Sequence, residues 1–251
     1  MKKRILATAL SLAVGLTAAV GLSACSKPEN PIVVGYTVYA PMNYKENGKL
    51  VGFDTEFAEM ALEELGYTPV FQIIDWDNKV FELQTNQIDL IWNGMTITDE
   101  LKENIAITDS YMKNKQVVVT KSANAAKFTD IASLSAAASI AVESGSAGEE
   151  VATDNNYANK LNKMAAQSDC LLEVKTARSE IAIIDRTMAE VMTGAGTDYA
   201  DLTFIDVGFA EEEYGIGLRK EDTELLAALN AIIARYKQDG TFDTLIEKYW
   251  S

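Results

Sequence analysis

At 251 residues and a formal net charge of −15, with 37 acidic against 22 basic side chains, the chain is a poor candidate for binding nucleic acid or anionic lipid. It contains no histidine, which excludes Ser-His-Asp and Cys-His catalysis and argues against a transition-metal site; neither metal nor cofactor is expected. Two cysteines, Cys25 and Cys170, offer no disulfide framework, and Cys170 is expected as a small, partly buried side chain.

In chain order, Lys2, Lys3 and Arg4 precede an uncharged run from Ile5 to Ala24. A basic start, an apolar stretch and small residues before a cut predict an export signal over residues 1–24, and a retained membrane anchor is weaker because no charged flank follows the run. Leu22-Ser23-Ala24-Cys25 also resembles the lipobox of bacterial lipoproteins, which implies that Cys25 is acylated and holds the protein to a membrane by lipid. Residues 25–31, polar and proline-containing, form the tether.

Ile32–Tyr36 reads as a buried strand, Tyr39–Tyr44 as a loop closed by a turn at Glu46-Asn47-Gly48, and Phe53, Phe57, Met60, Ala61 and Leu65 as one face of a helix stopped by Gly66. A strand over Val70–Ile74, a helix opened by Asp75-Trp76 and a strand over Ile88–Trp92 follow. This β-α-β-α-β order predicts a parallel sheet covered by helices. The last strand is expected to end at Asn93-Gly94, where glycine permits close backbone approach, and to pass to a helix capped at Thr98. A strand end with exposed backbone and small hydroxyls is where such a sheet offers polar groups to a ligand.

A second unit of similar size follows: strands at Gln116–Thr120 and Ile140–Val142, a Gly-Ser turn from Glu143 into a helix, a strand over Glu180–Asp185, and another over Leu202–Ile205. Tyr214–Arg219 reads as a strand. Leu225, Leu226, Leu229, Ile232, Ile233 and Tyr236 mark one late helix, and Phe242, Leu245 and Ile246 a last one.

Several motifs, in order and over nearly the whole mature chain, resemble the polar-amino-acid family of bacterial solute-binding proteins that feed ATP-driven (ABC) importers. They are Tyr39-Ala40-Pro41-Met42, Gly48 to Asp54, Ile88-Asp89-Leu90, Gly94 to Glu100, Ile181 to Asp185, and Glu213 to Lys220. The resemblance implies a two-lobed, type II periplasmic-binding-protein-like α/β fold with two hinge strands. Lobe 1 would be residues 31–113 plus 214–251 and lobe 2 residues 114–213, closing on a ligand by hinge motion. It implies permease subunits as partners, an extracytoplasmic location, and a monomer that binds an amino acid or small amine.

Residue by residue, the resemblance places Tyr39 and Trp76 on either side of the ligand side chain, where two aromatic faces suit a flat or cationic group. Asn93, Gly94 and Thr96 would hold an α-ammonium from lobe 1, and Asp185 would pair with it from lobe 2; an N-cap of the following helix is the plainer role for Asp185. Gly145, Ser146 and Ala147 would receive the α-carboxylate at a helix N-terminus. Glu143 would line the side-chain pocket.

One position departs from the family. Leu101 stands where the family pattern has an arginine that grips the ligand carboxylate in a bidentate pair, which an isobutyl group cannot do. Either the carboxylate relies on backbone N–H groups, or the ligand is an amine lacking a carboxylate there; Glu143 and Asp185 together favour positive charge. The rival classes are a dehydratase-type enzyme on the same fold, with Glu143 as general acid, and a binding lobe that signals to a separate receptor.

Overall fold

The computed structural model describes residues 29–250. The predicted export signal, Cys25 and the start of the tether lie outside the described residues.

The first unit centres on β1 (Pro31–Tyr36), with β4 (Thr68–Ile73) and β5 (Leu90–Thr96) parallel to it on either side. Between β1 and β4 run a hairpin of β2 (Tyr44–Glu46) and β3 (Lys49–Val51) and the helix α1 (Phe53–Glu64). Helix α1 buries Phe53, Phe57, Ala58, Ala61 and Leu62, the spacing that keeps one face of a helix on a sheet. The Phe57 ring meets Trp92 of β5 at 4.7 Å and Phe242 at 4.8 Å, both edge-on. Each ring so buried contributes roughly 1.5–3 kcal/mol, so α1, β5 and the end of the chain share one aromatic core. A 3₁₀ turn at Trp76–Asn78 leads into α2 (Lys79–Gln84). After β5 comes α3 (Asp99–Asn104), whose N-cap Thr98 accepts from the Leu101 N–H at 3.2 Å, followed by β6 (Ala106–Ile107).

The second unit contains β7 (Met112–Lys121), β8 (Ile140–Glu143), α4 (Ala147–Asp154), β9 (Leu161–Met164), α5 (Gln167–Lys175), β10 (Ile181–Asp185), α6 (Arg186–Met192) and β11 (Leu202–Ile205). The Ala/Ser-rich segment between β7 and β8 holds a 3₁₀ turn, Ile131–Ala136, closed by a capping box between Asp130 and Ser133. The chain then returns through β12 (Glu211–Leu218) to α7 (Thr223–Asp239) and α8 (Thr241–Tyr249), which pack against the first unit.

The strands run β4-β1-β5-β12-β7-β10-β8-β9, with β6 beside β12 and β11 beside β7. Strand β7 belongs to both units: Met112–Lys115 pair antiparallel with Glu211–Tyr214 of β12, and Gln116–Thr120 pair antiparallel with β10. Two antiparallel strands therefore carry the chain across the junction of a two-lobed α/β protein, as the motifs imply.

The structure corrects the expected end of β5. The strand does not stop at Asn93-Gly94; it continues to Thr96 because β12 pairs with it there, Tyr214 opposite Thr96 and Gly215 opposite Met95. Leu90 to Met95 are all buried. Helix α5 and strand β9 were not predicted. Cys170, Leu171 and Val174 form the buried face of α5, but Gln167, Ser168 and Asp169 in its first turn break the apolar pattern.

Candidate ligand-binding site

Away from the hinge strands, three side-chain hydrogen bonds among the described residues join the lobes. Thr37 Oγ1 donates to Glu143 Oε1 at 3.0 Å, Lys79 Nζ donates to the Gly145 carbonyl at 2.8 Å, and Ser144 Oγ donates to Asp77 Oδ2 at 3.3 Å. Gly145 has φ +70°, and a Cβ there would lie 2.6 Å from Asp77 Cα, so this turn seats against the opposite backbone only because it lacks a side chain. Beside these contacts lies a cavity of about 550 Å³ whose walls include Trp76, Lys79, Thr96 and Leu101 from one lobe and Ser146 and Ala147 from the other. Among the described residues, no group of three or more acidic or cysteine side chains is placed to hold a metal ion.

Of the residues singled out in the sequence, Trp76, Thr96, Gly145, Ser146, Ala147 and Leu101 border this cavity, whereas Tyr39, Asn93, Gly94, Glu143 and Asp185 do not. Ser146 is the N-cap of α4: its hydroxyl accepts from the Glu149 N–H at 3.2 Å and donates to the Glu143 carbonyl at 2.8 Å. Trp76 packs on Leu83, Ile91 and Met95 and presents a small part of itself to the cavity.

The structure engages Tyr39, the Asn93 side chain and the Gly94 N–H in bonds within lobe 1. Tyr39 is 2% exposed and its hydroxyl is bonded to that of Tyr214 at 2.6 Å, so the ring lies within lobe 1 and does not pair with Trp76 across the cavity. Asn93 is engaged within lobe 1: Oδ1 accepts from the Thr37 N–H at 3.0 Å and competes with Glu143 Oε1 for the single proton of the Thr37 hydroxyl, and Nδ2 donates to the Thr37 carbonyl and Asn43 Oδ1. Gly94 does allow a close approach, but to protein: at φ +57°, a Cβ would lie 2.6 Å from Tyr39 Cε1. Its N–H donates to Asp54 Oδ2 at 2.6 Å. These residues shape the site from behind.

Asp185 heads α6 but makes no capping bond, so the plainer role considered for it is not the one it plays. Its carboxylate accepts from the side-chain amides of Asn114, Gln116 and Gln167, the Gln116 bond being 2.7 Å. Two of those amides also reach Glu212 Oε2, Asn114 at 3.3 Å and Gln116 at 3.2 Å, and Thr96 Oγ1 donates to the same oxygen at 2.7 Å. Asp185 and Glu212 thus face each other across two amide groups at the hinge. Glu143, bonded to Thr37, also feels the charge of Asp185.

The electrostatics follow from burial. Desolvation lifts the Glu143 carboxyl to about 8, with the Thr37 hydroxyl working against the rise and the charge of Asp185 adding to it. Desolvation, then the charge of Asp185, raises Glu212 to about 7; Asp185 is itself raised by burial, which its three amide donors oppose. Asp54, behind Gly94, is held at about 7 by burial although Gly94 and Tyr111 donate to it. These carboxylates have no ion-paired cation among the described residues: Lys79 forms no ion pair with a described acid, and burial lowers its pKa.

Glu212, Lys79, Thr37 and the three amides escaped the sequence reading. Glu211-Glu212-Glu213 looks like a solvated acidic run, yet in a strand alternate residues face opposite ways and only the middle one is half-buried. Asn114 and Gln116 share a face of β7 by the same period of two. Lys79 follows Trp76 by three residues, close enough for its ammonium to lie 5.0 Å from the indole centre.

Residues 32–251 match the family of bacterial extracellular solute-binding proteins, family 3, and the chain belongs to it. It is 30% identical to the lysine/arginine/ornithine-binding periplasmic protein of Escherichia coli (strain K12), the match covering 100% of this chain and 97% of the relative. Among solved structures it is similar to an ABC uptake transporter substrate-binding protein from Streptococcus pneumoniae with bound histidine, at 32% identity and a TM-score of 0.77 over 88% of this chain and 92% of that one. It is also similar to an ancestral amino acid-binding protein described as a precursor of cyclohexadienyl dehydratase, at 30% identity and a TM-score of 0.80 over 88% and 96% of the two chains. The chain is thus an extracellular solute-binding protein with the two-lobed fold of its relatives.

Proposed function

We propose that this protein captures a positively charged amino acid between lobe 1 (residues 31–113 and 214–251) and lobe 2 (residues 114–213) and delivers it to the permease subunits of an ABC importer. Asp185 and Glu212 receive an ammonium group, Thr96 steers Glu212, and Glu143 faces the ligand side chain. The protein works as a monomer at the outer face of a membrane, held there by a lipid on Cys25 after loss of residues 1–24.

The observation that carries this reading is the buried carboxylates Glu143 and Asp185 and the half-buried Glu212 near the lobe junction, none of them in an ion pair with a cation among the described residues. A cationic ligand offsets their desolvation, whereas an acidic ligand would add to it. The E. coli relative named for lysine, arginine and ornithine supports the same class. Calorimetric titration with lysine, arginine, ornithine, histidine, glutamate and aspartate tests it: basic amino acids should bind, and Asp185→Asn should weaken them at least about thirtyfold. Tight binding of glutamate or aspartate alone refutes it.

A dehydratase-type enzyme is the competing reading, since a Glu143 carboxyl still protonated near neutral pH is what a general acid requires. Turnover of prephenate by the purified protein would establish it.

A further inference from the structure

We propose that the Lys79 ammonium, together with the N-terminus of α4, receives the ligand's carboxylate, a role that passes to it because Leu101 stands where the family has its arginine. The assignment rests on the amino-acid reading above and deepens it: the ligand keeps its carboxylate and is an amino acid, not a simple amine.

Lys79 is 8% exposed, and no carboxylate of the described residues lies within ion-pair distance of it. Its ammonium donates to two neutral carbonyls, Gly145 at 2.8 Å and Trp76 at 3.2 Å, which leaves one of its three N–H donors unassigned. A buried ammonium in contact with no carboxylate is costly; the Trp76 ring at 5.0 Å and the charges of Glu143, Asp77, Glu100 and Glu150, acting from beyond contact, offset only part of that cost, and burial still lowers its pKa. A buried ammonium at the lobe junction that touches only neutral carbonyls is the feature that points to an anionic group on the ligand.

The surroundings say where that anion goes. Among the described residues Lys79 is the one cation lining the interlobe cavity; the other charged residues on its walls are Asp77, Glu100, Glu149, Glu150 and Asp154, of which Glu149 is paired with Lys163 and the rest disfavour a carboxylate near them. Leu101 lies on the same wall and offers only methyl groups. From the opposite wall comes the first turn of α4, eight residues long, where Ser146 Oγ caps the Glu149 N–H and the Ala147 N–H has no acceptor within the helix. A carboxylate between Lys79 and Ala147 would meet a cation from one lobe and a helix N-terminus from the other, so its binding also favours closure.

The test is calorimetry on the mature protein with two matched pairs, lysine against cadaverine and arginine against agmatine, each amine being the amino acid without its carboxylate. The wild type should bind each amino acid more tightly than its amine. Lys79→Met should weaken the amino acids about 10- to 100-fold more than it weakens their amines. Lys79→Arg should retain most of the preference, and Leu101→Arg added to Lys79→Met should restore it. Equal weakening of amino acid and amine would make Lys79 only a latch to the Gly145 carbonyl and overturn the assignment, while leaving the proposed function standing. So would a wild type that does not distinguish the two, a comparison that needs no variant to fold. Failure of all four compounds to bind the wild type overturns both.

Discussion

Glu143→Gln should make the ligand-free protein more stable, and increasingly so as pH rises. Glu143 is 3% exposed and accepts a hydrogen bond from Thr37 across the lobe junction, with Asp185 and Lys79 the nearest charges acting on it. Its carboxyl lies at about 8 in the folded protein against 4.5 in the free side chain. Between those values the folded state holds a proton that the unfolded chain has released, so stability falls as pH rises, by up to about 1.4 kcal/mol per pH unit. By pH 7 the loss reaches about 3 kcal/mol, a ceiling because opening the lobes would relieve the same burial. Glutamine keeps an oxygen for the Thr37 hydroxyl and has nothing to ionise. Urea unfolding at pH 5, 6, 7 and 8 should therefore show the two proteins close at pH 5 and diverging towards pH 8. The variant's melting temperature should be higher at pH 7, by at most about 6–12 °C. Parallel pH profiles, with a constant difference, would refute the reasoning.

Two glycine substitutions separate packing within a lobe from packing between lobes. Gly94→Ala puts a Cβ at positive φ and 2.6 Å from Tyr39 Cε1, and the Tyr39 ring is tied to Tyr214 and cannot easily retreat. It should cost roughly 2–5 kcal/mol, lowering the urea midpoint at constant m; a loss below about 1 kcal/mol would contradict the close approach. Gly145→Ala directs its clash at Asp77 of the other lobe. The lobes should still fold, but small-angle X-ray scattering should give a larger radius of gyration, and ligand affinity should fall about tenfold or more. Unchanged dimensions and affinity would show that the turn does not gate closure.

Much of the fold is legible in the sequence because neighbouring residues encode it. Continuous apolar runs mark β1 and β10 and 3.6-residue apolar patterns mark α1 and α7, and Thr98, Asp130 and Ser146 announce the elements they cap by side-chain bonds to N–H groups one turn on. The family motifs also point to the cavity wall at Trp76, Thr96, Ser146 and Ala147 and to the departure at Leu101.

What the local pattern cannot carry is the identity of a partner brought in from far along the chain. Strand β5 continues past Gly94 only because β12, more than a hundred residues later, lies beside it. Asn93 is spent on Thr37 and Asn43, Tyr39 on Tyr214, and Glu212 is singled out from its acidic neighbours by Thr96, Asn114 and Gln116. Lys79 becomes a buried ammonium in contact with no carboxylate only when the Gly145 turn of the other lobe closes over it. The sequence by itself determined the class of site and the elements that frame it. The tertiary structure decided which polar groups are used up inside the protein and which remain for a ligand, because hydrogen-bonding capacity and desolvation depend on every group nearby in space and not on those nearby in the chain.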